Sequence, residues 1–448
     1  MVTAALKEIN PNISVEHNMA AISLNWIQGN TERNFEHSDY AGGDYYGGYL
    51  EQTFMCKYYN NMTKTKPFSY ITSRCDNSLF FHTVSRTMED LLVHAVNALV
   101  HNGAFSICDA MNPDGTMTES IYKGAIKKVF AITKPLEKYV SGEILSDVAV
   151  WYNTNYKVNP NFIQSPMKIA TLLREKNIAF DVVGSKNLKN LKAQVLSIND
   201  VQEITDEEMA DITRFVENGG NLFITGKLAH PRLQEIVGAK IVKGTKFSYA
   251  YYTPTEKFRH AMPDFDKSSP YPIEVSPVEC EITADDVEIM ATLSLPYTTP
   301  YEREFSAIHS NPPGIHTNKP VLTKRKVGKG NVIWSCLPME NTLAHNCRQT
   351  LANIILSLVK IREFESNAPE FVEILKWKKD DQIYISLVNQ QNVCPIYKMN
   401  DISIKLNERY ANIKCVSDND EIKVSYEKNK TMITIPTLHI FKIIQCTV

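Results

Sequence analysis

The segments KPFSYITSRC (66–75), TMEDLLVHAVNALVHNG (87–103) and AFSICDA (104–110) decide the fold of the first part of this chain. The first segment is typical of a strand that follows a proline, and the third of a short buried strand. The middle segment predicts a helix that ends at Gly103, because its apolar residues recur at helical spacing: Leu91, Leu92, Ala95, Val96 and Leu99. A strand, a helix and a strand in this order indicate a parallel β/α unit.

The stretch NFEHSDYAGGDYYGGYLEQ (34–52) lies upstream and is rich in groups that bind sugars. Carboxylates accept hydrogen bonds from hydroxyls, aromatic rings pack on sugar C–H faces, and glycosidic cleavage normally uses a pair of carboxyl groups. The same composition is typical of an exposed loop, so composition alone leaves both interpretations open. The acidic and aromatic residues concerned are Glu36, Asp39, Asp44, Glu51, Tyr40, Tyr45, Tyr46 and Tyr49.

Two further polar clusters come directly after predicted strands. TSRCDNSLFFHT (72–83) and SICDAMNPDGT (106–116) place polar side chains at the carboxyl ends of strands, where parallel barrels build their ligand sites. Each cluster also has a structural interpretation, since an Arg and an Asp can pair on the surface and an Asp can cap a turn. The candidate residues are Arg74, Asp76, His82, Cys108, Asp109 and Asn112.

The remaining chain predicts two more domains. From 141 to 362, strands alternate with helices, including a capping box at Thr205 and Glu208, and indicate an open doubly wound α/β sheet. Its VENGGN (216–221) ends a helix instead of opening one, and the chain has no phosphate loop or nucleophile elbow. We expect the proline-rich residues from about 230 to 320 to be irregular. From 363 to 448, short alternating strands predict a small antiparallel β-sandwich.

The composition excludes several classes of function. The formal net charge of -2 over 448 residues provides no broad electrostatic surface for nucleic acid or anionic membrane. No apolar run approaches the ~20 residues of a membrane-spanning helix, and the first residues lack a secretory pattern, so we expect a cytoplasmic protein. The nine cysteines are scattered without a C-x-x-C pair, which predicts reduced thiols and neither a disulfide framework nor a zinc site. We also expect no cofactor.

Five segments together resemble the later half of α-L-fucosidase-like glycoside hydrolases: NFEHSDYAGGDYYGGYLEQTFMCKYY (34–59), KPFSYITSRC (66–75), FFHT (80–83), NGAFSICDAMNPDGTMTESIY (102–122) and VENGGNLFITG (216–226). That group has a (β/α)8 catalytic barrel, a doubly wound β-galactosidase-type trimerisation domain and a β-sandwich. The resemblance implies a flavodoxin- or amidotransferase-like middle domain and three regions in this chain: the later part of a barrel (1–140), the α/β domain (141–362) and the sandwich (363–448).

The resemblance also implies an activity, namely exo-acting hydrolysis of terminal sugars from oligosaccharides or glycosides. It makes Asp39 or Glu36 the candidate general acid. The substrate would then be a carbohydrate, and a homo-oligomer, trimer or dimer, would form through residues 141–362. The residues that it implies for substrate binding are Asp44, Tyr45, Tyr46, Arg74, Asp76, His82 and Asp109.

Two departures from the group leave an alternative open. Ser69 stands where the group carries a glutamate, and only about 140 residues precede the α/β domain although a complete barrel takes about 250. We therefore expect the nucleophile to lie upstream of Met1, and expect an open parallel edge with an uncovered apolar interior. The alternative is a catalytically incomplete carbohydrate-binding or assembly subunit derived from such an enzyme.

Overall fold

The computed structural model describes residues 2–23, 30–76, 80–155, 163–298, 311–342 and 344–447. This chain divides into two compact units, one made of Met1–Asp147, Leu173–Gly184 and Ile361–Val448, the other of Val148–Leu172 and Ser185–Lys360. Both helices and strands are well represented, so the fold is mixed α/β. Across these residues, no helix is both long enough and apolar enough to cross a membrane.

The helices in chain order are α1 (Val2–Ile9), α2 (Tyr49–Met62), α3 (Met88–Val100), α4 (Glu119–Ile121), α5 (Lys127–Thr133), α6 (Gln164–Glu175), α7 (Asp206–Glu217), α8 (Pro231–Val237) and α9 (His345–Leu356). The strands are β1 (Gly42–Asp44), β2 (Phe68–Ser73), β3 (Gly103–Cys108), β4 (Glu143–Leu145), β5 (Val148–Trp151), β6 (Phe180–Val183), β7 (Val195–Asn199), β8 (Asn221–Thr225), β9 (Ala239–Gly244), β10 (Ala250–Pro254), β11 (Tyr271–Ile273), β12 (Val278–Ile282), β13 (Glu288–Pro296), β14 (Pro313–Val327), β15 (Gly330–Ser335), β16 (Glu365–Ser366), β17 (Val372–Lys379), β18 (Gln382–Asn389), β19 (Met399–Leu406), β20 (Asn412–Cys415), β21 (Lys423–Glu427), β22 (Lys430–Leu438) and β23 (Phe441–Thr447).

A parallel three-stranded sheet, β1-β2-β3, forms the part of the first unit that carries the predicted site. Ser69 pairs with both Gly42 and Ala104 in its register. Helix α3 joins β2 to β3 and begins at Thr87, whose side chain accepts a hydrogen bond from the Asp90 N–H. This N-terminal cap satisfies one of the free donors of the first helical turn. The predicted strand, helix and strand are thus confirmed in order and type.

The two faces of this sheet differ in composition. Phe68, Tyr70 and Thr72 of β2 are fully buried, and the Tyr70 ring stacks on His94 of α3. Because side chains alternate along a strand, the opposite face carries the residues between them. That open face is small and half of its eight residues are polar, so it differs from the uncovered apolar interior that we expected, and β3 is half-buried instead of buried. Its residues are Gly42, Asp44, Ser69, Ile71, Ser73, Ala104, Ser106 and Cys108.

The segment 13–19 lies along the free edge of β1. Its backbone makes one hydrogen bond to β1, from the Met19 N–H to the Gly42 carbonyl, and one to the chain just before β1, from the Asp39 N–H to the Val15 carbonyl, both 2.8 Å long. The segment is extended without forming a regular strand. The pairing covers part of an edge that would otherwise expose free backbone groups.

Two antiparallel sheets complete the first unit, in the orders β16-β19-β22-β21 and β20-β23-β18-β17-β4. Buried residues of both sheets share one core, among them Leu387, Ile404, Ile433 and Ile444. Strand β4 pairs with β17, although the sequence places residues 143–145 in the middle domain. A three-residue strand has too little pattern to reveal a partner more than 200 residues away.

The second unit contains a sheet in the order β11-β10-β13-β14-β15-β8-β7-β5. Strands β5, β7, β8 and β15 pair in parallel, and the remaining pairs are antiparallel. The capping box of α7 is present as predicted, and β14 and β15 form a hairpin that turns at Gly328.

The prediction that residues 230 to 320 are irregular is wrong for 231–298 and 313–320, because α8, strands β9 to β13 and the start of β14 lie there. Residues 299–310 lie outside the described residues. The prolines fall where strands tolerate them: Pro254 and Pro296 end strands, Pro313 begins one, and Pro272 lies in the edge strand β11.

A buried ion pair fixes α2 against β17. The Lys57 Nζ lies 3.0 Å from the Glu373 Oε1, and both side chains are 1% exposed. The Lys57 ammonium also lies 4.4 Å from the ring centre of Phe180, and His101 Nε2 lies 4.0 Å from the same Glu373 oxygen. Burial lowers the pKa of His101 to about 3, so the imidazole stays neutral and the pair remains one cation against one anion.

Removing one partner leaves an uncompensated buried charge, so we expect Lys57→Met or Glu373→Leu alone to destabilise the first unit by about 3–5 kcal/mol. The double variant removes both charges and should recover most of that loss. Urea unfolding followed by Trp fluorescence measures the cycle. Lys405→Met provides the matched control, because its pair with Glu427 is solvent-exposed and should matter by less than about 1 kcal/mol. If the losses of stability in the two single variants simply add in the double variant, a direct interaction between the two charges is contradicted.

Candidate functional site

The carboxylate of Asp44 lies at the carboxyl end of β1, on the open face of the parallel sheet. The Tyr46 hydroxyl donates a hydrogen bond to its Oδ2 and the Asn18 amide donates one to its Oδ1, each 2.6 Å long. The Tyr46 oxygen also lies 3.6 Å from the Sγ of Cys108, the last residue of β3. Three neighbouring segments of the chain therefore meet at one carboxylate.

These contacts determine the charge of Asp44. Partial burial tends to raise its pKa, but the hydrogen bonds from Tyr46 and Asn18 outweigh burial and hold the pKa below the usual value. The same arrangement raises the pKa of Tyr46, through burial and the adjacent carboxylate. Asp44 is therefore ionised near neutral pH, and Tyr46 keeps its proton.

A second carboxyl group, Glu16, lies beside Asp44. A Cβ atom at position 42 would lie only 1.9 Å from the Glu16 Oε1. Because residue 42 is a glycine, the Glu16 carboxyl group can occupy this space. Partial burial raises the pKa of Glu16, the Tyr40 hydroxyl opposes this, and the negative charge of Asp44 adds to it. Two carboxyl groups whose pKa values move in opposite directions thus share one face of the sheet.

A cavity of about 590 Å³ adjoins this cluster within the first unit. Tyr46 belongs to its lining, together with the first residues of α2 and α3 and a loop of the antiparallel part. The lining residues are Tyr46, Gly47, Gly48, Tyr49, Leu50, Asp76, Ser85, Arg86, Thr87, Asp90, His94, Arg174, Gln390, Asn392, Val393, Cys394 and Ile396.

Polar side chains on α2 and α3 are fixed to one another along one wall of the cavity. Asp90 accepts hydrogen bonds from the Tyr49 hydroxyl and from the Arg86 Nη1, the latter 2.8 Å long. His94 Nδ1 lies 2.8 Å from the Gln52 amide oxygen. Burial lowers the pKa of His94 to about 4, so the imidazole is neutral and the wall carries balanced charge.

Arg74 and Asp109 form a buried ion pair. The Arg74 Nη2 donates to the Asp109 Oδ1 at 2.7 Å and to the His82 carbonyl at 2.8 Å, and the two side chains are 1% and 2% exposed. Tyr122 donates to the other Asp109 oxygen at 2.8 Å. Burial tends to raise the pKa of Asp109, but Arg74 and Tyr122 outweigh it and lower the pKa. The pair therefore ties together the loops after β2 and β3, and its predicted contact with substrate stays a prediction.

The other predicted binding residues lie in different environments. Asp76 is exposed and lines the cavity. His82 is half-buried and its Nε2 lies 3.1 Å from the Asn112 side-chain oxygen, which joins the two loops. Tyr45 is only 3% exposed and points into the helix layer, where its hydroxyl contacts Tyr59.

Glu36 and Asp39, the candidate general acids from sequence, both precede β1 and so lie near the end of the sheet opposite to Asp44. Asp39 accepts 2.8 Å hydrogen bonds from Lys7 and from the Val15 N–H, and these hold its pKa below the usual value. A general acid needs a raised pKa, so the environment of Asp39 does not favour that role.

Sequence reasoning missed Glu16 and Asn18. Both lie in the segment 13–19, whose only local signal is a possible strand, and their importance depends on its pairing with β1. Arg174 and Gln390 were missed as well, since they come from distant parts of the chain that meet only in the folded first unit.

Comparison with solved structures shows the fold that this chain shares. The α-L-fucosidase isoenzyme 2 from Paenibacillus thiaminolyticus superposes with a TM-score of 0.79 at 15% identity, over 100% of this chain and 70% of that one. The β-galactosidase from Bacillus circulans sp. alkalophilus gives 0.70 at 13% identity, over 99% and 65%. A catalytic mutant of Gan42B, a GH42 β-galactosidase from G. stearothermophilus, gives 0.67 at 12% identity, over 98% and 65%.

No protein-family model matches the sequence, and no curated protein matches it. The chain spans about two thirds of the length of these solved glycoside hydrolases. At such low identity the similarity concerns the fold alone: this chain folds like the corresponding part of glycoside hydrolases.

Proposed function

We propose that this protein is a glycoside hydrolase that removes terminal sugars, similar to exo-acting α-L-fucosidases, and that residues 1–140 are the later part of its barrel. One observation carries the proposal: Asp44 and Glu16 share the open face of a parallel sheet, with opposite shifts in pKa, beside a cavity. Glycosidic cleavage requires one carboxyl group that is ionised and one that is protonated.

The two environments assign the roles. Glu16, with its raised pKa, donates a proton to the departing glycosidic oxygen. Asp44 is ionised and stabilises the positive charge that develops at the anomeric carbon, and Tyr46 and Asn18 hold its carboxylate in place. A water molecule then bonds to the anomeric carbon and gives up a proton to the deprotonated Glu16, which completes hydrolysis. Tyr46 and Asp76 line the cavity and are the groups that we assign to sugar hydroxyls.

The position of Glu16 is also relevant to Ser69, which stands where the fucosidase-like group carries a glutamate. Gly42 and Ser69 are partners in the register of β1 and β2, and the Glu16 carboxyl lies over Gly42. Glu16 thus brings a carboxyl group, from a neighbouring segment, to the place where the resemblance implies a glutamate at residue 69.

A second candidate function is a carbohydrate-binding or assembly subunit without turnover. The observation in its favour is that Ser69, Ala104 and Ser106 on the open face are partly or fully exposed, whereas hydrolytic sites usually exclude bulk water. In either case we propose that a homo-oligomer forms through residues 141–362.

The first prediction concerns activity. We expect the purified protein to hydrolyse an aryl α-L-fucoside or an aryl β-galactoside, and expect Asp44→Asn and Glu16→Gln to lower kcat by about 10²–10⁴-fold. Because Glu16 acts as the acid, kcat should fall as pH rises through its raised pKa. Asp285→Asn, an exposed aspartate of the second unit, is the matched control and should leave kcat unchanged.

The variant Asp39→Asn distinguishes between the two candidates for the general acid, Asp39 and Glu16. Loss of turnover in Asp39→Asn with full activity in Glu16→Gln would restore the assignment of the acid made from sequence. Saturable sugar binding without turnover at any pH from 4 to 8 would favour the binding subunit, and neither binding nor turnover would contradict both functions.

The second prediction concerns the charge of Asp44. Tyr46→Phe removes one of the two hydrogen bonds that favour the carboxylate, so the pKa of Asp44 should rise. Titration of ¹³C-labelled aspartate carboxyls by NMR measures it, with the signal assigned by Asp44→Asn. Tyr122→Phe is the control, because its hydroxyl donates to Asp109. An unchanged Asp44 pKa in Tyr46→Phe would mean that Tyr46 does not set this charge.

A further inference from the structure

The cavity next to Asp44 contains two arginines whose charges are compensated differently. Arg86 is 9% exposed; its Nε donates to the Ser73 carbonyl at 3.0 Å and its Nη1 to Asp90 at 2.8 Å. Among the described residues its Nη2 makes no hydrogen bond, although Arg86 belongs to the cavity lining. Arg86 is thus neutralised by Asp90 while one N–H group remains available to a ligand.

Arg174 has no carboxylate partner within ion-pairing distance in the described parts of the chain. Its Nη1 donates to the Gln390 amide oxygen at 3.0 Å, and its Nε is buried without a hydrogen bond. Gln390 is 4% exposed and is held in turn by a 2.9 Å hydrogen bond to Thr53 of α2. A neutral amide therefore positions the guanidinium, and its positive charge is left uncompensated at a half-buried site, which is uncommon for a charged side chain.

The remaining lining fits a polyhydroxylated molecule. Asp76 and Asp90 provide acceptors for hydroxyl groups, and Tyr46 and Tyr49 provide aromatic surface beside them. Within this lining the charge of Arg86 is balanced by Asp90, and Asp76 is exposed to solvent. Arg174 is the lining cation that a ligand would have to neutralise.

We propose that this cavity binds a saccharide that carries an anionic group, a carboxylate, sulfate or phosphate, with Arg174 as its ion partner and the Arg86 Nη2 as a further donor. A planar guanidinium matches the paired oxygens of such groups. The inference rests on the proposed function, since it names the class of sugar that the same site takes.

Calorimetric titration of the full-length protein tests the inference without requiring turnover. The probes are galactose, galacturonate, galactose 6-sulfate, galactose 6-phosphate and inorganic phosphate. We expect at least one acidic sugar to bind at least about ten times more tightly than galactose, and this preference to decrease in 1 M NaCl. Arg174→Gln should abolish the preference, because it weakens binding of the acidic sugar much more than binding of galactose. Arg232→Gln, an exposed arginine of α8, should change neither affinity.

The outcomes distinguish the inference from the function on which it rests. Equal binding of galactose and all acidic sugars overturns the inference and leaves a sugar-binding site in place. Tight binding of inorganic phosphate without binding of any sugar overturns the inference and counts against the proposed function.

Two further variants keep the test decisive if Arg174→Gln does not fold. Arg174→Lys keeps the charge and should keep a reduced preference for the acidic sugar. Gln390→Leu removes the group that positions Arg174 and should weaken acidic-sugar binding more than galactose binding. The assignment of Arg174 as the ion partner is overturned if Gln390→Leu keeps the full preference for the acidic sugar and Arg174→Lys binds the acidic sugar as tightly as the native protein does.

Discussion

The ion pair between Lys57 and Glu373 is the constraint on which the first unit depends, because two charges at 1% exposure are tolerated only in contact with each other. Helix α2 carries Lys57, and one turn earlier it carries Thr53, which accepts the hydrogen bond from Gln390. Two buried polar contacts therefore attach the helix to β17 and to the chain that follows β18. Since buried polar groups without partners are costly, we interpret these contacts as selecting one arrangement of helix and sheet among several that apolar packing alone would permit.

This arrangement positions the candidate site. Helix α2 begins directly after β1, so fixing the helix also fixes the short connection that contains Tyr46 between Asp44 and the cavity. The opposite wall comes from residues 390–396, which belong to the antiparallel part of the unit. That part therefore contributes to the cavity lining as well as to support. Like the ion pair, the cavity is formed by segments that are far apart in the sequence.

Local sequence patterns predicted the helices and strands well. Pairing between distant segments determined the features that those patterns could not predict. The helical spacing in 88–100 and the capping box at Thr205 depend on neighbours within a few residues, so the sequence alone reveals them. Asp39 and Asp44 are five residues apart, and a strand of three residues is enough to place them towards opposite ends of the sheet. Glu16 matters only because its segment pairs with β1, a contact that has no local signature.

The polar composition of the open sheet face limits what can cover it. Serine hydroxyls on β2 and β3 are well hydrated when exposed, so the face does not need an apolar partner to be stable. An apolar surface placed there would bury these hydroxyls without partners and lose roughly 1–3 kcal/mol for each one. A sugar brings hydroxyl groups of its own and can satisfy them, and the ionised Asp44 at the end of the same face adds a strong acceptor. Hydrogen-bonding capacity therefore makes a carbohydrate a better occupant of this face than a second apolar surface.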